Sequence, residues 1–213
     1  MKNIEITTLF LDIGGVLLTN GWDRQARHKA AIQFKLDEEE MNERHHLTFD
    51  TYETGKLTLD EYLNRIVFYT KRKFSKKDFT KFIFDQSQPI KGSLEFFKGL
   101  KEKYRLRVIA VSNEAKEINE YRIKKYKLNH LFDSFVSSCY VHLRKPDADI
   151  FRMACDVAQT PLPNILYVDD RHMFVEVARS LNIRAHHFKS LDEAKKYLNT
   201  LKFSSAGIIK KDK

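Results

Sequence analysis

The sequence predicts an α/β fold, a doubly wound parallel sheet with a Rossmann-like core and an inserted α-helical cap. Three observations predict it. The run Leu9-Phe10-Leu11 is wholly apolar, ends on Asp12 and turns at once through Gly14-Gly15. Such a strand needs burial on both faces, the condition of a central strand in a parallel sheet. Helix-period segments alone follow, up to about Asp85. From Pro89 onward, strand and helix alternate, the grammar of β-α-β winding.

The elements follow in order. After the Gly-Gly turn comes Thr19-Asn20-Gly21-Trp22-Asp23, and then apolar residues recur at helical spacing over Ala26–Phe34, Met41–Tyr52, Leu59–Tyr69 and Phe79–Phe84. Thr58 with Glu61 reads as a capping box, and Ser75 with Asp78 as another helix start. Beyond Pro89 the pattern predicts a helix over Ser93–Tyr104, a strand over Leu106–Val111 ending at Ser112-Asn113, and a helix over Ala115–Tyr126. A short strand over Phe132–Ser138 follows, with Lys145 just beyond it. A helix then runs from near Pro146 through Ala158, proline being favoured at a helix start. The strand Ile165–Val168 ends on Asp169-Asp170. A helix over Met173–Leu181, a strand over Ala185–Phe188 and a helix capped by Ser190 and running through Leu201 complete the pattern. The implied domains are a core of residues 1–18 and 88–203, a helical cap over 19–87, and a flexible basic tail over 204–213.

At 213 residues, 42% hydrophobic and 31% charged, the chain can bury a sizeable core. No apolar run is of membrane-spanning length and the N-terminus lacks a signal-peptide layout, so a cytoplasmic location and no membrane partner are expected. Cys139 and Cys155 form neither a disulfide framework nor a C-x-x-C site. The formal charge of +9 invites a nucleic-acid reading, but the lysines are scattered over solvated helix and loop positions without interleaved aromatics. No nucleic-acid partner is expected. Attraction of small anions uses the charge equally well.

Four strand ends carry polar groups: Asp12, Ser112-Asn113, Lys145 and Asp169-Asp170. Right-handed winding brings such ends to one edge of the sheet, where open α/β sheets bind ligands. A carboxylate, a hydroxyl, a cation and an acidic pair fit phosphoryl transfer with Mg²⁺. Each residue singly has a structural rival: Ser112 as a helix cap, Lys145 as a surface lysine, Asp169-Asp170 as caps of the next helix. Jointly they favour an active site. His45-His46 lack partners at metal-ligand spacing and are expected on a surface face of the cap. Trp22 suits either substrate contact or hinge packing, and Arg24, Arg27 and Asp50 are candidates for the site mouth.

These residues together resemble the motifs of the haloacid dehalogenase-like hydrolase superfamily, in the subgroup whose helical cap follows the first motif. The resemblance spans Thr8 to about Leu201. It is carried by Leu11-Asp12-Ile13-Gly14-Gly15-Val16, Val111-Ser112-Asn113, Arg144-Lys145-Pro146-Asp147 with Ile150-Phe151, and Tyr167-Val168-Asp169-Asp170. It implies Asp12 as nucleophile and Mg²⁺ ligand, and the Gly14 carbonyl and Asp169 as further ligands, with Asp170 in support. It implies Ser112, Asn113 and Lys145 at the phosphoryl group of a small phosphorylated substrate. Two positions depart from the family pattern. Gly14 stands where phosphatases of the family carry a general acid-base aspartate, and Phe174 stands where relatives often carry asparagine. A Mg²⁺-dependent phosphatase working through an aspartyl-phosphate is the first reading. A carbon–halogen hydrolase using the same aspartate is the second, and a catalytically degenerate binding protein the third. A monomer or a homodimer is expected.

Overall fold

A computed structural model describes residues 5–206. Five strands form one parallel sheet: β1 (Thr8–Leu11), β2 (Arg107–Ser112), β3 (Ser134–Ser137), β4 (Ile165–Asp169) and β5 (Arg184–His187). Their order is β3-β2-β1-β4-β5, so β1 is central and pairs with β2 on one side and β4 on the other.

Burial of β1 on both faces follows from the alternation of its side chains. Leu9 and Leu11 pack with Val108, Ala110, Leu166 and Val168 on one face, while Phe10 packs with Ile109, Val111 and Tyr167 on the other. The first face is covered by α6 (Ser93–Tyr104) and α11 (Leu191–Leu198), the second by α9 (Ala148–Ala158) and α10 (His172–Ser180). Helices on both faces make the sheet doubly wound.

Between β1 and α6 lie five helices: α1 (Arg24–Phe34), α2 (Glu38–His46), α3 (Phe49–Glu53), α4 (Leu59–Ile66) and α5 (Lys76–Asp85). Caps at their N-termini are visible in the bonding. Asp23 accepts from the Ala26 N–H, Asp37 from the Glu40 N–H, Thr58 and Glu61 form a reciprocal box, and Ser75 accepts from Asp78. These helices close their own core around Tyr62, Leu63, Ile66 and Phe79, which also takes in Ala115 and Ile118 beside and on α7 (Lys116–Lys125). The insert is thus built against the sheet domain's own helix. The chain leaves and re-enters side by side: Leu18 bridges Pro89, and the Thr19 N–H donates to the Gln88 carbonyl. No helix among the described residues is long and apolar enough to cross a membrane.

Several expectations change. The segment 41–52 is two helices rather than one, because Thr48 Oγ1 turns back to the Arg44 carbonyl and α3 starts anew at Phe49. The third strand stops at Ser137, and Ser138–Val141 forms a short helix, α8. Lys145 therefore lies in a loop well past its strand. Pro146 precedes the helix rather than opening it, the cap being Asp147, which accepts from the Asp149 N–H. Residues 204–206, expected in a flexible tail, are tied down: Ser204 donates to the Ile6 carbonyl and Ala206 to the Arg105 carbonyl. The rest of that tail, 207–213, lies outside the described residues.

Candidate active site

The C-terminal ends of β1, β2 and β4 meet at one edge, and the register fixes how. Leu11 stands opposite Ala110 and Val168, so Asp12, Ser112 and Asp169 emerge at nearly the same level. The Asp12 N–H donates to the Val168 carbonyl at 3.0 Å, carrying the β1–β4 pairing one residue past the strand.

Three donors converge on a single oxygen of Asp12. Oδ1 accepts from the Ile13 N–H at 2.8 Å, from Ser112 Oγ at 2.5 Å and from Lys145 Nζ at 3.2 Å. Asp12 lines the cavity, and this bonding leaves its second oxygen, Oδ2, for a reacting partner. Ser112 is no helix cap, since α7 begins at Lys116 behind Ala115. Lys145 is no surface lysine: it is 0% exposed and also donates to Asp169 Oδ2 at 2.6 Å. Burial pushes the Asp12 carboxyl up, to about 7, against the opposing pull of the Lys145 ammonium. The same two carboxylates hold the Lys145 ammonium above the usual lysine range despite its burial.

The acidic pair divides its work. Asp169 is fully engaged: Oδ2 accepts from Lys145 and from the Tyr167 hydroxyl, and Oδ1 from the Arg171 N–H. Asp170 accepts from Asn20 Nδ2 through Oδ2, while its buried Oδ1 has no hydrogen-bond partner. Asp12, Asp169 and Asp170 each offer an oxygen, and these atoms lie within 4.8 Å of one another. Hard oxygen donors with one carboxylate oxygen unsatisfied fit a small divalent cation. Asp170, expected only in support, is as well placed for that ion as Asp169.

The two glycines differ. Gly15 has φ +70°, and a Cβ there would collide with the Asp170 carboxylate at 2.1 Å. Gly14 is not among the positive-φ residues, and the space beside it is filled by Asn20, whose Oδ1 would lie 2.8 Å from an added Cβ. The local backbone bridge uses the Gly15 N–H to the Leu18 carbonyl and the Leu18 N–H to the Ile13 carbonyl, leaving the Gly14 carbonyl out. Asn113, expected at the phosphoryl group, uses its side-chain amide to hold Lys145: Nδ2 donates to the Lys145 carbonyl and Oδ1 accepts the Lys145 N–H.

Above this edge is a cavity of about 300 Å³ that takes in Asp12, Gly14, Ser112, Asn113 and Lys145. Its roof comes from the insert: Trp22, Arg24, Arg27, His45, Phe49 and Glu53. Arg24 and Arg27 thus reach the mouth, whereas Asp50 does not line it and instead pairs with Arg144 at 2.5 Å. Trp22 lines the cavity and packs edge-on against Phe79 in the insert core. His45 is not on a surface face; it lines the cavity. Phe174 lies with its ring 5.1 Å from Lys145 Nζ, a cation–π contact in place of an amide. Asn20, His45, Arg171 and Glu53 are not read from the sequence as residues of this site. Arg171 alone had a sequence signal available, its position directly after the acidic pair.

Comparison with known proteins places the arrangement. The family model for haloacid dehalogenase-like hydrolases matches residues 6–182. The chain is 30% identical over 199 residues to drimenol cyclase drtB of Aspergillus calidoustus, covering 92% of this chain. It spans about a third, 36%, of that relative's length. Among solved structures, HAD family enzyme BT-2542 of Bacteroides thetaiotaomicron superposes with a TM-score of 0.76 at 20% identity, over 91% of this chain and 98% of that one. The same enzyme in complex with magnesium and inorganic phosphate gives 0.73 at 22% identity, over 89% and 98%. L-2-haloacid dehalogenase of Xanthobacter autotrophicus gives 0.62 at 14%, over 92% and 83%.

Proposed function

The chain belongs to the haloacid dehalogenase-like hydrolases, and on that premise we propose that it is a Mg²⁺-dependent phosphohydrolase of small phosphorylated metabolites, acting through an aspartyl-phosphate on Asp12. One observation carries the choice of chemistry. Three carboxylates stand together, one of them the lysine-bound Asp12 and another, Asp170, with an unsatisfied buried oxygen. Displacement of halide from carbon needs no such cation site. The solved relative that holds magnesium together with inorganic phosphate supports the same reading.

In this mechanism Asp12 Oδ2 attacks phosphorus while Oδ1 stays fixed by Ile13, Ser112 and Lys145. The bond from phosphorus to the leaving oxygen breaks as the new one forms, and water then attacks phosphorus to release phosphate and regenerate Asp12. Lys145, with three N–H donors, faces the charge on the phosphoryl oxygens, while the single hydrogen of the Ser112 hydroxyl holds the nucleophile. A Mg²⁺ ion held by Asp12, Asp169 or Asp170 and the Gly14 carbonyl would neutralise that charge and favour ionised Asp12. No carboxyl stands at position 14 to protonate the leaving oxygen, so good leaving groups such as acyl or anomeric oxygens suit the site best. The insert acts as a cap over the reaction, with its residues at the mouth setting the substrate.

Hydrolysis of acetyl phosphate and of p-nitrophenyl phosphate, followed with Mg²⁺ and with EDTA, tests this. Turnover is expected only with the metal, and Asp12→Asn is expected to abolish it. Halide release from a 2-haloacid that survives EDTA would establish the second chemistry instead.

A further inference from the structure

The roof of the cavity contains a hydrogen-bond chain that the phosphoryl chemistry does not use. Trp22 Nε1 donates to the Tyr62 hydroxyl at 2.9 Å, and that hydroxyl lies 2.6 Å from His45 Nδ1. Tyr62 is 0% exposed, and among the described residues its hydroxyl has these two partners only.

The tautomer follows from this count. An indole N–H can only donate, so the Tyr62 oxygen accepts from Trp22. Were His45 Nδ1 also a donor, the hydroxyl hydrogen of Tyr62 would be buried without an acceptor, at a cost that buried polar groups rarely bear. Tyr62 therefore donates to Nδ1, and the proton of the neutral imidazole sits on Nε2. The ring is held in place by Phe49, stacked at 5.2 Å and 27°, while Tyr52 stacks on Tyr62 at 4.1 Å and 8°. With Nδ1 turned into the insert core, the Nε2 edge is the one left for the cavity that His45 lines together with Asp12 and Lys145.

We propose that Trp22 and Tyr62 are positioning residues for His45, and that His45 determines specificity by donating its Nε2–H to an oxygen on the substrate's leaving group. Resting on the phosphohydrolase reading, this names the substrate class: phosphate esters carrying a hydroxyl or similar oxygen near the ester, in preference to plain alkyl esters. The ring stays neutral as it does so. Burial, with the positive charges of Arg27 and Arg144 and the neighbouring His46, drives His45 down to about 3, while Glu53 lies on the same cavity wall.

Two measurements on the full chain test it. Long-range ¹H–¹⁵N spectra of histidine-labelled protein, with His45 assigned from His45→Gln, should show the Nε2–H tautomer unchanged from pH 8 to pH 5. In Tyr62→Phe the same resonance should become a tautomer mixture. Binding of ethylphosphonate against 2-hydroxyethylphosphonate, and of propylphosphonate against 3-hydroxypropylphosphonate, is then measured with Mg²⁺ present. The better hydroxylated ligand should win by about three- to tenfold, the worth of one neutral hydrogen bond. His45→Phe should erase that ratio, and His45→Gln, which keeps an N–H, should restore part of it. An Nδ1–H tautomer in the unaltered protein, or a ratio unchanged in His45→Phe, overturns the proposal. Phosphate binding without any hydroxyl preference overturns this inference alone. Failure of inorganic phosphate itself to bind with Mg²⁺ overturns the phosphohydrolase reading with it.

Discussion

Gly14 and Asn20 decide together what the site lacks. An aspartate at position 14 would restore a general acid, typically worth about 10²–10⁴-fold for poor leaving groups. Its Cβ, however, would stand 2.8 Å from Asn20 Oδ1, and Asn20 also donates to Asp170. Gly14→Asp alone should therefore leave alkyl phosphate hydrolysis no faster. Gly14→Asp with Asn20→Ala should raise it at least about tenfold over Asn20→Ala, as steady-state rates would show. His45 gives a second prediction at this scale. Its folded pKa lies below the ordinary 6.5, so the unfolded chain binds the extra proton and stability falls as pH drops from 6.5 toward 3. Relative to His45→Gln, the unaltered protein should lose about 2 kcal/mol between pH 7 and pH 5, read from urea unfolding. Legibility differs between these residues. Asp12, Ser112 and Asp169 could be found in the sequence because strand ends in a parallel sheet have predictable positions. Asn20 and His45 could not, because a loop and an inserted helix reach the site only through tertiary packing.

At the scale of elements, the insert is joined to the sheet domain by buried charge. Arg122 of α7 is 1% exposed and ion-pairs with Glu114. Its Nε donates to Ser87 Oγ at 3.0 Å and its Nη2 to the Thr19 carbonyl at 3.0 Å, so one guanidinium grips both connections of the insert. A second clamp is Arg144, which holds Glu53 of α3 at 2.7 Å, while Ser138 donates to the Glu53 carbonyl. Removing one partner of a buried pair leaves a bare charge, so Arg122→Met should cost about 3–5 kcal/mol. Arg122→Met with Glu114→Gln should recover part of that loss, a comparison chemical denaturation makes directly. Capping residues made most of the insert's helices readable, as Thr58 and Ser75 show. Neither the break at Thr48 nor the turn of helix at Ser138–Val141 could be read, since each is set by contacts rather than by periodicity.

At the scale of the whole molecule, several of the cations in a chain of formal charge +9 stand where an anionic substrate would enter. Arg24, Arg27, Arg144 and Arg171 ring the cavity whose floor holds Lys145, with Arg24 and Arg171 exposed at its mouth. Long-range attraction of this kind is screened by salt, the Debye length falling from about 10 Å at 0.1 M to about 3 Å at 1 M. The kcat/KM for a phosphorylated substrate should fall as salt rises, and less steeply in Arg24→Gln with Arg171→Gln. The fate of the oxygen of water separates attack at phosphorus from attack at a carbonyl carbon of Asp12, and an acid quench separates phosphoryl transfer to Asp12 from direct hydrolysis by water. A single turnover of acetyl phosphate by excess protein in H₂¹⁸O, with Mg²⁺, is followed by mass analysis of inorganic phosphate and of the peptide containing Asp12. Attack of water on phosphorus places ¹⁸O in phosphate and none in the Asp12 carboxylate, and a rapid acid quench captures a phosphoryl group on Asp12. Label in the Asp12 carboxylate, the mark of an ester hydrolysed at its carbonyl carbon, would contradict it.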